Sequence, residues 1–194
     1  AQPDPATAIA RQHASSLRPG DWLAVQGNLN QEATLAALQQ AKRRRASTFF
    51  NSAPIQWDVR PLLPFVDLLV LNRPELAALA DTDDPASGGE RLLEAGVRQV
   101  VVTLGSDGAA IVDEVDVKHL AAKHVKTIDT AGAGDTFCGA TIAGLAEGAD
   151  LTLAATLGMR AAAITVTRPG TQPAFPTTAE AGLLKSRVLA GAPG

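Results

Sequence analysis

The residues Asp129-Thr130-Ala131-Gly132-Ala133-Gly134-Asp135-Thr136-Phe137 bring two carboxylates and four small side chains together at the start of an apolar run. Small side chains let a backbone approach a bound anion, and the first turn of a helix leaves amide N–H groups without intrahelical partners. Gly132, Ala133 and Gly134 at such a helix start outline an anion hole. Asp135 stands in the first turn, where the positive end of the helix dipole favours a carboxylate. Beside a bound phosphate it is placed to accept a proton from a hydroxyl. The residues alone also allow a plainer reading, an ordinary loop whose Asp caps a helix.

Other polar residues close apolar runs in the same way. Asn72-Arg73-Pro74-Glu75 follows one such run, and Glu75 in a helix first turn offsets the helix dipole whatever else it does. Thr103-Leu104-Gly105-Ser106-Asp107-Gly108 ends a β-branched run, with Gly105 and Gly108 suited to a tight turn. Asn28 and Asn51 end two further strands, where turn chemistry is the ordinary role of Asn. His13, His119 and His124 share no metal-ligand spacing and are expected on the surface.

The run DTAGAGDTFCGA at 129–140 resembles the second signature of the ribokinase-like (PfkB family) carbohydrate kinases. The resemblance implies that Gly132, Ala133 and Gly134 cradle the transferring phosphate and that Asp135 is the catalytic base at the substrate hydroxyl. Asn72-Arg73-Pro74-Glu75 is similar to the family's N-x-x-E motif, which implies Glu75 in the hydration network of Mg2+ and ATP, and Asn72 at the phosphates. One indirect carboxylate suits Mg2+, which keeps several of its waters. The stretch 103–108 resembles the T-x-G-x-x-G turn, implying Thr103, Gly105, Ser106 and Gly108 along the nucleotide phosphates and ribose. Asn51, at the end of its own strand, is similarly placed to reach the nucleotide. In relatives the adenine edge packs where Met159 falls, and substrate is contacted near Asn28; a core methionine explains Met159 equally well.

Thr165-Val166-Thr167-Arg168-Pro169-Gly170 resembles the loop that holds a monovalent cation, K+, in these enzymes. The implied ligands are the Asp129 carboxylate and the carbonyls of Ala131, Thr165, Arg168 and Gly170. Backbone dipoles can replace the hydration shell of such an ion. Two positions depart from the family pattern: Thr141 stands where an apolar residue is preferred, and Ala174 where a Ser hydroxyl often completes the cation shell.

Placing these residues requires strands that alternate with helices. Apolar periodicity and turn residues predict helices at 6–17, 31–45, 74–80, 88–96, 134–147, 151–164 and 178–189, and a helical turn at 62–65. Strands are predicted at 22–26, 47–50, 68–71, 100–104 and 109–112. This alternation implies an α/β fold, a three-layer, doubly wound, mostly parallel sheet of the ribokinase-like kind, with ligands beyond the carboxyl ends of the strands. The resemblance starts at the helix before Trp22 and covers the C-terminal two thirds of a typical member. The family's N-terminal Gly-Gly motif and lid are missing, so the expectation is a single domain over 1–194 from a longer kinase.

Composition narrows the classes. The chain has 194 residues, 46% of them hydrophobic, which is enough for one substantial core. A formal net charge of -3 gives no electrostatic footprint for nucleic acid. The one basic run, Lys42-Arg43-Arg44-Arg45, sits where a helix should end and complements its dipole. A single Cys138 permits no internal disulfide and suits a reducing compartment, the cytoplasm. No apolar run reaches membrane-spanning length. A P-loop kinase and a Rossmann dehydrogenase lack their fingerprints, and a membrane aspartyl protease of the G-x-G-D kind lacks its membrane helices. The expected function is ATP-dependent phosphorylation of a hydroxyl on a sugar or nucleoside-like molecule. The alternative is a truncated chain that binds nucleotide without catalysis. The oligomeric state is not encoded in any motif.

Overall fold

A computed structural model describes residues 4–189; the ends of the expected 1–194 domain, residues 1–3 and 190–194, lie outside the described residues. The chain divides into two compact units. The first comprises Ala1–Thr103 with Ala110–Lys118, the second Leu104–Ala109 with His119–Gly194.

The first unit opens with helix α1 (Pro5–Ser15) and strand β1 (Trp22–Gln26). Helix α2 (Gln31–Arg43), strand β2 (Ser47–Asn51), a 3-10 turn (Arg60–Phe65) and strand β3 (Leu68–Asn72) follow. Helices α3 (Arg73–Ala80) and α4 (Pro85–Glu94) then lead into strand β4 (Gln99–Thr103). With β5 (Ala109–Val112) and β6 (Val117–Leu120), the strands form one six-stranded sheet in the order β1-β2-β3-β4-β5-β6. The pairs β1–β2, β2–β3 and β3–β4 are parallel. Leu68, Leu69, Val70 and Leu71 of β3 and Val100, Val101 and Val102 of β4 are all buried, as continuous apolar runs in a covered parallel sheet must be.

Helix α4 starts earlier than the pattern from 88 predicts, because Asp84 accepts from the Ser87 amide at 2.9 Å and Pro85 is preorganised for the first helical position. Strand β6 was not anticipated. Its short sequence is largely exposed, and it is reached through a turn in which Asp113 Oδ1 accepts from the amides of Val115 and Asp116. The basic run is taken up by the scaffold. Lys42 pairs with Asp67 at 2.7 Å, the other Asp67 oxygen accepts from Thr48, and Arg44 donates to the Leu17 carbonyl.

The second unit holds a 3-10 turn (Gly105–Asp107), helices α5 (Ala133–Ala146) and α6 (Leu151–Thr165), a second 3-10 turn (Gln172–Ala174) and helix α7 (Thr178–Leu189). Small residues bring α5 and α6 close together. A Cβ on Gly158 would lie 2.3 Å from the Thr141 hydroxyl and 2.8 Å from the Phe137 carbonyl. Thr141, the departure noted in the sequence, is fully buried, and its hydroxyl has no hydrogen-bond partner among the described residues. Lys185 of α7 pairs with Glu147 at the end of α5.

Candidate functional site

In the first unit, parallel register lines up the predicted polar residues along the carboxyl edge of the sheet. Gln26 faces Asn51, Asn51 faces Val70, and Asn72 faces Thr103. Asn72 and Glu75 form a reciprocal cap on α3. The Glu75 amide donates to Asn72 Oδ1 at 2.9 Å, and the Asn72 amide donates to Glu75 Oε2 at 3.0 Å. The Ser52 hydroxyl donates to the same Oε2 at 3.2 Å. Among the described residues Glu75 Oε1 and Asn72 Nδ2 have no protein partner, so one carboxylate oxygen and one amide remain available to a ligand. Asn51 is buried, and its Oδ1 accepts from the Ala53 amide. Asn28 is exposed in the loop after β1, beside Leu29, whose carbonyl accepts from the Trp57 indole. The Thr103 hydroxyl donates to the Leu71 carbonyl.

In the second unit the loop before α5 has the geometry its composition predicts, with one exception. Gly132 is the N-cap at φ +77, a conformation costly for residues other than Gly, and offers no side-chain cap. The amides of Gly132, Gly134 and Asp135 meet no protein acceptor among the described residues. The Ala133 amide is the exception, since it donates to the Thr130 carbonyl at 3.2 Å. Of the three residues expected to outline an anion hole, Gly132 and Gly134 keep bare amides and Ala133 does not, while the Asp135 amide is bare as well. Asp135 is exposed and its carboxylate has no partner among the described residues. Three bare N–H dipoles beside an unpaired carboxylate can hold an anionic group and take a proton from a neighbouring hydroxyl.

Asp129 ties this loop to the segment after α6. Its Oδ1 accepts from the Ala131 amide at 2.9 Å and its Oδ2 from the Gly170 amide at 3.0 Å. These two amides, Ala131 first, hold its carboxyl below the usual carboxylate range. The Thr165 carbonyl accepts from the Arg168 amide, whereas the carbonyls of Ala131, Arg168 and Gly170 accept nothing among the described residues. An ionised carboxylate with bare carbonyls is a hard-oxygen set that fits a monovalent cation in chemistry. The Arg168 side chain is bound elsewhere, in a two-pronged pair with Glu180. That guanidinium, with the Thr177 amide and hydroxyl, pulls the Glu180 carboxyl down to about 2.

Gly105, Ser106 and Gly108 form a separate turn, closed by the Gly108 amide on the Gly105 carbonyl. Gly108 has φ +99, and a Cβ there would lie 1.9 Å from the Leu120 carbonyl oxygen, so no other residue fits. Met159 is half-buried on α6. No three of His, Cys, Asp and Glu converge to hold a metal ion among the described residues. Three supporting residues had escaped the sequence reading. Ser52 carries no sequence signal. Thr136 donates its hydroxyl to the Gly132 carbonyl or shares it with Thr165, each at 2.9 Å, and its signal is only a Thr one turn into an apolar helix. Glu180 is announced by Thr177-Thr178-Ala179-Glu180, a T-x-x-E capping pattern.

Comparison with known proteins follows the same lines. The profile of the pfkB family carbohydrate kinase matches residues 2–178. Ribokinase of Mus musculus is 33% identical over 176 residues, 86% of this chain and 54% of that protein. Ribokinase of Staphylococcus aureus (strain COL) is 30% identical over 166 residues, 82% of this chain and 55% of that protein. The ribokinase structure from Thermotoga maritima superposes with a TM-score of 0.81 at 32% identity, covering 91% of this chain and 59% of that one. Fructokinase from Vibrio cholerae O395, solved with fructose, ADP and calcium, gives 0.75 at 26% identity, covering 87% and 62%. The chain spans about half the length of the curated relatives it matches.

Proposed function

The chain belongs to the pfkB family of carbohydrate kinases, and from that premise we propose that it takes part in transferring the γ-phosphoryl group of ATP to a hydroxyl of a sugar or nucleoside-like molecule. The observation that carries the reading is the start of α5, where the Gly132, Gly134 and Asp135 amides are bare and the Asp135 carboxylate is unpaired. Phosphoryl transfer asks for positioning and charge stabilisation rather than covalent catalysis. Asp135 takes the hydroxyl proton, the hydroxyl oxygen bonds to the γ-phosphorus, and the bond to the bridging β–γ oxygen breaks, releasing ADP. The three amides meet the charge that builds on the transferring group.

Glu75 would hold Mg2+ through water with its unpaired Oε1, the ion neutralising phosphate charge when bound. The Asp129 carboxylate and the carbonyls of Ala131, Arg168 and Gly170 would hold K+, with Thr165 as a fourth carbonyl already sharing a hydrogen bond. Asn72, Thr103, Gly105, Ser106, Gly108, Asn51 and Met159 are assigned to the nucleotide and Asn28 to the acceptor. Support for ATP and a sugar comes from the ribokinase relatives and from the fructokinase bound to fructose and ADP. The single Cys138 supports a reducing, cytoplasmic setting, and no described helix is long and apolar enough to cross a membrane.

A second reading is nucleotide binding without turnover, since the amides and carbonyls assigned to phosphate and cation do not by themselves require an acceptor site. Calorimetry with ADP, and an assay for ADP formation from ATP with ribose, fructose and nucleosides as acceptors, separate the readings. Binding with acceptor-dependent ADP release supports the kinase, and binding alone supports the second reading. A chain that does not bind ADP overturns both.

A further inference from the structure

The Phe175 ring packs against Gly132 at the loop before α5. A Cβ on Gly132 would lie 2.7 Å from Phe175 Cε1 and 2.9 Å from Thr171 Cγ2, so both side chains press against the loop where it turns. Phe175 is braced in turn. Its carbonyl accepts from Arg168 Nη1 at 3.4 Å, and the Arg168 guanidinium grips both carboxylate oxygens of Glu180. Glu180 is itself fixed, because its Oε2 accepts from the Thr177 amide and hydroxyl, each at 2.9 Å. The pair is about two-thirds shielded, with side-chain exposures of 33% and 36%. A planar guanidinium in a two-pronged pair has one preferred geometry, which a lysine or a single contact would not impose.

We propose that Glu180 is a positioning residue for the phosphate-binding loop: by clamping Arg168 it fixes Phe175 beneath Gly132 and so sets where the bare amides at the start of α5 point. The inference rests on the kinase reading, since it assigns those amides to a nucleotide phosphate. Glu180 touches no ligand and acts only through Arg168 and Phe175.

The test titrates ADP, with Mg2+ and K+ present, into the parent chain and into Glu180→Ala, Arg168→Ala, their double variant and Lys185→Ala, each below its own melting temperature. Truncating the Arg168 side chain leaves its carbonyl in place. Lys185→Ala removes the ion pair that α7 makes to Glu147, at the far end of α5 from Gly132. It reports what loosening α7 does by itself.

Glu180→Ala and Arg168→Ala are each expected to weaken ADP binding by about tenfold, the lower end of what is lost when the partner supporting a ligand group is removed. The double variant loses no more than the larger single loss, because both act through one contact. Lys185→Ala stays within about twofold of the parent, as distant sites do. Where Glu180→Ala fails to fold, Glu180→Gln, which keeps an acceptor for Thr177 but not the charged clamp, carries the same comparison. A Glu180 variant that melts earlier yet binds ADP like the parent overturns the proposal, as do two single losses that add. A parent chain that binds no ADP sinks the kinase reading and this inference with it, which keeps the two failures distinguishable.

Discussion

Helices α3 and α5 both start at positions assigned to the nucleotide, and they solve the problem of orphan amides in opposite ways. At α3, Asn72 and Glu75 cap each other and Ser52 joins them. At α5, a glycine with no side chain opens the helix and three amides are left bare. Helices α2, α4 and α6 follow the α3 solution, with Asn30, Asp84 and Asp150 each accepting from an amide of the first turn. Forgoing a cap costs about 1 kcal/mol. Helix α1 also starts without a side-chain cap, so it is the glycine at φ +77 and the unpaired Asp135 beside the bare amides that set α5 apart, and on the proposed reading that start serves a ligand.

The largest expected effect breaks this contrast at its chemical end. Asp135→Ala should lower acceptor-dependent ADP formation by about a hundredfold or more, while ADP binding by calorimetry changes little, because the loop amides remain. Near-parental turnover removes Asp135 from the base role. Next comes Gly132→Ala. A side chain there meets Phe175 and Thr171 and must adopt φ +77, so ADP affinity should collapse and thermal unfolding should show a loss of about 1–3 kcal/mol. Unchanged affinity would mean that the loop does not touch the nucleotide.

How much of this could be read from residues depends on whether the deciding interaction is local. Strand β1 and the buried β3 and β4 were legible because continuous apolar runs have few other fates. The short, exposed β6 was not, because nothing in Val117-Lys118-His119-Leu120 separates a strand from a loop. The bare amides of the Gly132 loop were legible, since they follow from small residues at a helix start. That Ala133 turns back onto Thr130 was not, because the choice depends on how the loop closes. The support given by Ser52, Thr165 and Phe175 comes from residues 23 to 43 positions away from those they brace, beyond the reach of periodicity or capping rules. Glu180 lay within reach, because its T-x-x-E pattern is local.

At α3 the two roles of Asn72 can be pulled apart. Asn72→Ala removes the cap and should cost about 1 kcal/mol, read as a lower melting temperature. Asn72→Asp keeps an acceptor for the Glu75 amide and should melt close to the parent, yet it replaces the unpaired Nδ2 donor with an acceptor. If Asn72 meets the phosphates, Asn72→Asp therefore weakens ADP binding by severalfold without loss of stability, a charge placed against an anion costing more than a missing hydrogen bond. Equal ADP affinity in the parent and Asn72→Asp would reduce Asn72 to a cap and sharpen the contrast with α5.

The smallest effect lies two turns inside α5, where the loop gives way to ordinary packing. Thr141 is fully buried against Gly158 with an unpaired hydroxyl, and an unmet buried polar group costs about 1–3 kcal/mol. Thr141→Val keeps the branched shape and removes that group, so the chain should gain about 1 kcal/mol, or about 2–4 °C in melting temperature. ADP affinity should not change, because the bare amides lie at the other side of Phe137. A drop in melting temperature would mean that the hydroxyl has a partner, such as an ordered water. A change in ADP affinity would mean that the packing of α5 on α6 reaches the loop, so that the ligand-serving start of the helix and its structural body are not separable.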